Sequence, residues 1–291
     1  MFHSCPNSSC SHQDPGLKSR RIGWFYRKSD GQYVRRFICM RCKRSFSLAT
    51  GNPCFGQNKR QVNAPLFVLL NSGVSQNRCA RIFKVHRNTI ARKQRFLAKL
   101  SRENQSKFLK GFGQSIAVQM DDLETSIHTK CKPVSVTLAV DAKTRILLGF
   151  EVSIMPAKGL LAKIAKEKYG YRPDERVQGI KRLLGKIQGN VHERAEIKSD
   201  QNPLYPSLIK RFYPKSTHKA IKGVRGSSTG QGELKKIGFD PLFSLNHTCA
   251  MMRANISRLI RKTWCTSKKI SALEDHLAIY MDYHNRVLVL G

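Results

Sequence analysis

An apolar run at 115–120 ends on three carboxylates in four positions, Asp121, Asp122 and Glu124. This constrains the fold because acids are scarce in the chain. Lys and Arg number 53 against 19 Asp and Glu, a formal net charge of +34. A strand that gathers carboxylates in so basic a chain reads as a divalent-cation site working on a nucleic acid. A strand ending in a solvated acidic turn is the plainer alternative. A second aspartate placed the same way, in Ile197-Lys198-Ser199-Asp200, favours the first reading.

A length of 291 residues suggests about two domains and a small extra module. The sequence has no apolar run near 18 residues, and its start lacks a charged segment followed by an apolar core. We therefore expect no membrane span, no signal peptide and a cytoplasmic protein. In that compartment the nine cysteines read as metal ligands or buried thiols rather than disulfides. The charge points to a polyphosphate partner, bound through counterion release. A ribosomal-type or membrane-surface protein would carry similar charge, but no basic amphipathic helix favours the membrane.

Residues 1–60 hold two cysteine pairs, Cys5-x4-Cys10 and Cys39-x2-Cys42. Each pair can sit on a tight turn, and four thiolates make a tetrahedral zinc site. Strand, cysteine turn and returning strand across 33–47 is how a zinc ribbon is built. A segment this small needs metal to fold. The first spacing is four rather than two, so His3 or His12 are substitute ligands, and Cys54 reads as a spare. Arg35, Arg36, Arg41, Lys43 and Arg44 are the basic face expected to touch DNA.

Residues 61–110 read as a helix-turn-helix with a linker. Ser75 can N-cap the first helix of the pair, Val74, Ile82, Val85 and Ile90 are spaced to pack the corner, and Ala80 allows close crossing. Arg87, Asn88, Arg92 and Lys93 lie at the start of the second helix and are the expected groove readers. His86 stands where Ser or Thr usually caps. Residues 101–113, rich in Lys, Gly and polar side chains, read as the linker.

Residues 111–291 give three strands in close succession, at 115–120, 133–140 and 145–154, suggesting an antiparallel meander. A basic helical region follows at 160–188, broken at 170–173. Then come a strand at 194–199 and a helix from 203. This order is that of a ribonuclease-H-like domain, which would make Asp121 and Asp200 neighbours. Residues 215–236 read as a mobile or disordered loop. A long helix then buries Leu245, Cys249, Met252, Ile256 and Leu259, with Arg258, Arg261 and Lys262 making a basic far end. A last amphipathic helix spans 273–283.

Taken together, this α+β multidomain plan of zinc ribbon, helix-turn-helix and ribonuclease-H-like domain resembles bacterial insertion-sequence transposases of the DDE type. The nearest likeness is to those of the insertion-sequence-one type. Met120-Asp121-Asp122 is similar to the family's first catalytic strand, and Ser199-Asp200 followed by Tyr205 to its second motif. Leu245-Asn246-His247 through Arg253 is similar to its third. The family places Glu seven residues before that Arg; here the position is Asn246. The resemblance implies a prokaryotic, nucleoid-associated enzyme that cleaves and joins double-stranded DNA at its element's ends with Mg2+ or Mn2+. It would work as a homodimer or higher, because two ends must meet.

In this reading Asp121, Asp200 and Asn246 are catalytic, with Asp122, Glu124, His247, Arg253 and Asp240 as accessory groups. Strand alternation puts Asp121 and Asp122 on opposite sides. Asn246 offers a neutral, weaker oxygen ligand. The chain then uses two Asp and one Asn, or recruits another acid such as Asp240 or Glu233, or is an impaired copy. A sequence-specific DNA-binding protein derived from a transposase is the competing function, and a nuclease without strand joining is a third.

Overall fold

The computed structural model describes residues 5–10, 19–222, 240–260 and 265–290. It is a mixed α+β protein of two compact units, Met1–Leu66 and Phe67–Gly291. No helix among the described residues is long and apolar enough to cross a membrane.

The first unit is a three-stranded antiparallel sheet, β1 (Ser19–Arg27), β2 (Gln32–Cys39) and β3 (Ser45–Ser47), in sequence order. Its β1–β2 turn is held by Arg27, which donates to both oxygens of Asp30 at 2.7 and 2.5 Å, while Gly31 supplies a positive φ of 68°. Its buried side chains are few, chiefly Val34, Phe37 and Cys39 in the strands, with Phe37 stacked on Phe46.

Helix α1 (Asn63–Leu70) crosses the boundary between units. Helices α2 (Gln76–Ile82) and α3 (Arg87–Phe112) follow, joined by a tight turn. The predicted cap is made, Ser75 Oγ accepting from the Arg78 N–H, and His86, in the place where Ser or Thr usually caps, does the same with Nδ1 accepting from the Asn88 N–H. Lys84, at φ 50°, takes the left-handed position of the turn. The corner is filled by Cys79, Ala80 and Ile90, whereas Ile82 points outward, 56 % exposed.

The expected linker does not exist. Residues 101–112 continue α3, which is one helix of 26 residues. Its inward polar side chains, Gln94, Ser101 and Gln105, are buried on the side of α8 (Ile270–Tyr283), while Arg102, Glu103, Ser106, Lys107 and Lys110 are exposed. Gln105 and Asn104 donate to the buried Asp282 at 2.9 and 3.2 Å, Gln94 donates to the Ala272 carbonyl, and Arg286 closes the network on Asp282. Asn190 ends the helix by donating to the carbonyls of Leu109 and Gly113.

The central sheet holds β4 (Ser115–Ser126), β5 (Pro133–Asp141), β6 (Leu147–Ile154), β7 (Val191–Asp200) and β8 (Thr217–Ile221). Their order is β6-β5-β4-β7-β8; the first three are antiparallel, and β7 and β8 run parallel to β4. The predicted meander and the later strand are present. β8 was expected to be loop; it is short, polar and half exposed, so no apolar alternation marked it.

Both faces of the sheet are covered. Helices α5 (Arg176–Ile187) and α6 (Tyr205–Phe212) pack on Val118, Met120 and Ile197, while α7 (Phe243–Asn255) and α8 pack on Leu123, Val136 and Leu138. A further helix, α4 (Leu161–Tyr169), precedes α5. The predicted buried stripe of α7 is buried, though the helix stops before Ile256. Arg258, read as part of a basic far end, is instead inserted. It donates to Ser267 Oγ and the Ala272 carbonyl, and burial pulls its pKa down to about 10. Arg261 and Lys262, and nearly all of 215–236 beyond β8, lie outside the described residues.

Candidate functional site

The four expected cysteines of the first unit converge. Cys5 and Cys42 sulfurs are 3.6 Å apart, those of Cys10 and Cys39 are 3.9 Å apart, and all four lie within 4.8 Å of one another. Thiolates around a tetrahedral zinc at about 2.3 Å are about 3.8 Å apart, so the set fits a structural metal such as zinc. The four-residue spacing is accommodated by a turn in which the Cys10 N–H donates to the Asn7 carbonyl. The second knuckle turns through Lys43, at φ 55°, whose N–H donates to the Cys39 carbonyl. Burial pushes Cys5 up to about 12, while the Arg44 N–H pulls Cys42 down to about 6. Cys54 stands apart, accepting from Asn63 Nδ2, as expected of a spare. His3 and His12 lie outside the described residues.

The second site is at the middle of the central sheet. Met120 pairs with Ser199 in the parallel β4–β7 ladder, so the next residues, Asp121 and Asp200, lie side by side. Asp121 follows the Leu123 side of β4, toward α7; Asp122 follows the Met120 side, toward α6. Burial pushes Asp121 up to about 6, helped by the charges of Asp200 and Asp122, and raises Asp200, helped by Asp122. Arg253 of α7 partly opposes this at Asp121.

The three aspartates differ in their partners. Asp122 accepts from Thr137 Oγ1 at 2.6 Å and from Asn202 Nδ2 at 3.3 Å. Among the described residues Asp121 and Asp200 accept just the nearby backbone N–H groups of Asp122 and Asn202, at 2.6 and 3.2 Å. Among the described residues neither forms a salt bridge, although the chain carries 53 Lys and Arg. Other buried acids are engaged: Asp141 caps the β5–β6 turn, Glu151 pairs with Arg182 and Lys186, and Asp282 pairs with Arg286. The Tyr205 hydroxyl is buried without an acceptor of suitable geometry, and the charge of Asp122 acts on it most, before Asp121 and Asp200. The acids do not converge as tightly as the cysteines, which are the one such ligand group among the described residues.

The accessory residues are more scattered. Asn246 is exposed and donates to Asp240 Oδ2 at 2.7 Å, while Asp240 Oδ1 accepts the Leu242 N–H. Both lie at the start of α7, which is anchored to β4 by Gln119: its side chain accepts the Leu245 N–H and donates to the Pro241 carbonyl. His247 packs on Phe243, and its buried Nδ1 has no hydrogen-bond partner among the described residues. Glu124 pairs with Lys158 at the far end of β4. Glu233 lies outside the described residues. Thr137, Asn202 and Gln119 were not anticipated. Asn202, two residues past Asp200, was the legible signal; the other two depend on register and packing.

Of the expected groove readers, Arg87, Asn88 and Arg92 are exposed on the first turns of α3. Lys93 is buried, 5 % exposed, because it falls on the face that carries Ile90 and Leu97. It is therefore not on the solvent side with the other three. No model of a known protein family matches the sequence, and no curated protein matches it either.

Proposed function

We propose that the protein is a transposase of the DDE type that binds the ends of a DNA element and catalyses metal-dependent strand cleavage and strand transfer. The observation that carries this reading is the pair Asp121 and Asp200: adjacent, half-buried, and without a salt bridge among the described residues, in a chain of net charge +34. Carboxylates whose burial and mutual repulsion raise their pKa values suit a divalent cation. Magnesium sites in phosphoryl transfer use one or two carboxylates and complete the shell with substrate phosphates. The sheet order supports a ribonuclease-H-like domain, with three antiparallel strands extended by two parallel ones.

Asp121 and Asp200 would hold Mg2+ or Mn2+, which when bound activates a water or a DNA 3′-hydroxyl and stabilises the leaving oxygen. Thr137 and Asn202 hold Asp122 in place, so it serves to orient the site. The buried Tyr205 hydroxyl has a proton free to donate toward the same acids. Arg253 supplies positive charge beside Asp121 where a scissile phosphate would lie. DNA is gathered by Arg87, Asn88 and Arg92 on α3 and by the zinc-ribbon unit, and two ends require a dimer or larger assembly.

The test is cleavage of a DNA fragment carrying the gene with its flanks, in Mg2+, Mn2+ or no divalent cation. Nicks at the element's edges should appear only with metal, and Asp200→Asn should lower the rate at least about 10²-fold, several kcal/mol of transition-state stabilisation. One observation favours a second reading, a sequence-specific DNA-binding protein with an impaired catalytic domain: Asn246 is neutral and engaged with Asp240. Binding at the edges without cleavage in either metal would establish that reading instead.

A further inference from the structure

The sheet of the first unit has an exposed aromatic face. Trp24 and Tyr26 lie two apart on β1, and their cross-strand partners on β2 are Arg35 and Tyr33. Directly paired residues share a face, so these four side chains make one patch. Trp24 is 54 % exposed, Tyr26 52 % and Tyr33 71 %, whereas Val34 on the opposite side is buried. The patch is already ordered. The Arg35 guanidinium sits 3.9 Å over the Trp24 ring, and the Tyr26 and Tyr33 rings are 5.2 Å apart and tilted. On that side of β2 burial is confined to the Phe37 and Cys39 end, where Phe37 stacks on Phe46, and the three rings lie beyond that cover in water.

Charge selects the partner. Residues 1–66 carry 12 Lys and Arg against two Asp, Asp14 and Asp30, and Asp30 is paired with Arg27. Exposed Arg21, whose cross-strand partner Phe37 lies on the side of β2 that carries Tyr33 and Arg35, borders the rings. A peptide partner for such a face would need to be strongly acidic and aromatic-binding at once. A nucleic acid strand meets both demands by its ordinary chemistry: phosphates for the arginines, base faces for the rings. A duplex buries its base faces in the stack and cannot use the rings. Aromatic platforms in a basic setting are how unpaired bases are held, each base contributing a stacking contact that is tolerant of sequence.

We infer that the Trp24, Tyr26, Tyr33 and Arg35 face is a stacking platform for unpaired bases of a single strand. The inference goes beyond the cleavage reading and does not depend on it. In a protein that opens DNA, the same patch would hold a strand released from pairing.

The test is fluorescence anisotropy of the full chain with a short labelled strand and with the duplex of the same sequence, in buffer without divalent cations. Trp24→Ala and Tyr33→Ala are each expected to weaken single-strand binding roughly ten-fold or more while leaving the duplex and the salt dependence unchanged. Trp24→Phe, which keeps a ring, should retain most of the affinity. Arg21→Gln should weaken both forms alike and flatten the salt dependence. Zinc content and circular dichroism report folding; if Trp24→Ala disturbs either, Tyr33→Ala, at the most exposed ring, decides. A ribose strand of the same sequence distinguishes sources: equal loss on both assigns the face to single strands generally, and loss on DNA alone assigns it to DNA. Unchanged single-strand affinity in both alanine variants overturns the inference, as does an equal loss on strand and duplex. Asp200→Asn should bind as wild type, so a failed cleavage experiment leaves this result readable, and the converse holds too.

Discussion

The two units hold themselves together by different means. The first has a thin apolar interior and four converging cysteines; the second has a sheet buried on both faces by helices and a network of buried polar side chains between α3 and α8. Burial scales with size, so the small unit needs a cation where the large one needs only its side chains. The difference teaches that one chain can carry two stabilities with separate triggers. Reagents that dismantle one unit should leave the other standing.

The largest effect expected is from metal. Structural zinc in small modules contributes about 10–16 kcal/mol near neutral pH, so chelation should unfold the first unit outright. Hydrogen exchange should then show β1–β3 unprotected while β4–β7 keep their protection. A single ligand change, Cys39→Ser, should do the same and abolish bound zinc. If the helical and strand signals of residues 67–291 collapse together with the first unit, the two stabilities are not separate.

The next effect belongs to the larger unit. Asp282 is buried and receives Asn104, Gln105 and Arg286. Asp282→Ala leaves those donors without an acceptor and should cost about 3 kcal/mol in urea unfolding, with zinc content unchanged. Retained stability would mean that water replaces the carboxylate and that the network is not what fixes α3.

The smallest effect has the opposite sign. The folded pKa of Asp121 is about 6, above the ordinary value of 3.8. The native state therefore holds this proton more tightly than the unfolded chain. Stability falls as pH rises from about 4 to about 6 and stays reduced above that. Asp121→Asn should then stabilise the metal-free protein at pH 7.5 by roughly 2 kcal/mol and have almost no effect near pH 4. Helical circular dichroism follows the larger unit through both measurements. A destabilising Asp121→Asn at pH 7.5 would show that the carboxylate is satisfied as it stands and is not held open for a cation.

Much of this was legible in residue order. The strands announced themselves by apolar runs, the aspartates by their scarcity, and the cysteines by their pairing. What escaped has physical causes. Ser101 and Gln105 were placed in a linker because polarity in sequence does not distinguish water from a buried partner such as Asp282, far along the chain. β8 escaped because its strand character lies in its hydrogen bonds to β7. Lys93 was misplaced by its charge, although its position beside Ile90 and Leu97 marked the inner face. Asn246 was found by its place relative to Arg253, but its contact with Asp240 was not; that needed the turn at the start of α7.

The continuity of α3 has a mechanical consequence. At 26 residues it is about 39 Å long. Its first turns present Arg87, Asn88 and Arg92, and its last turn delivers the chain into β4, which carries Asp121. It is built like a drive shaft: packed along its flank by α8, it couples the exposed side chains of its first turns to the strand that bears the acids. The one backbone joint on that line is Gly113, at φ 83°. Any side-chain-bearing residue there would be strained in a conformation that glycine adopts freely, so the junction between shaft and strand depends on that one residue.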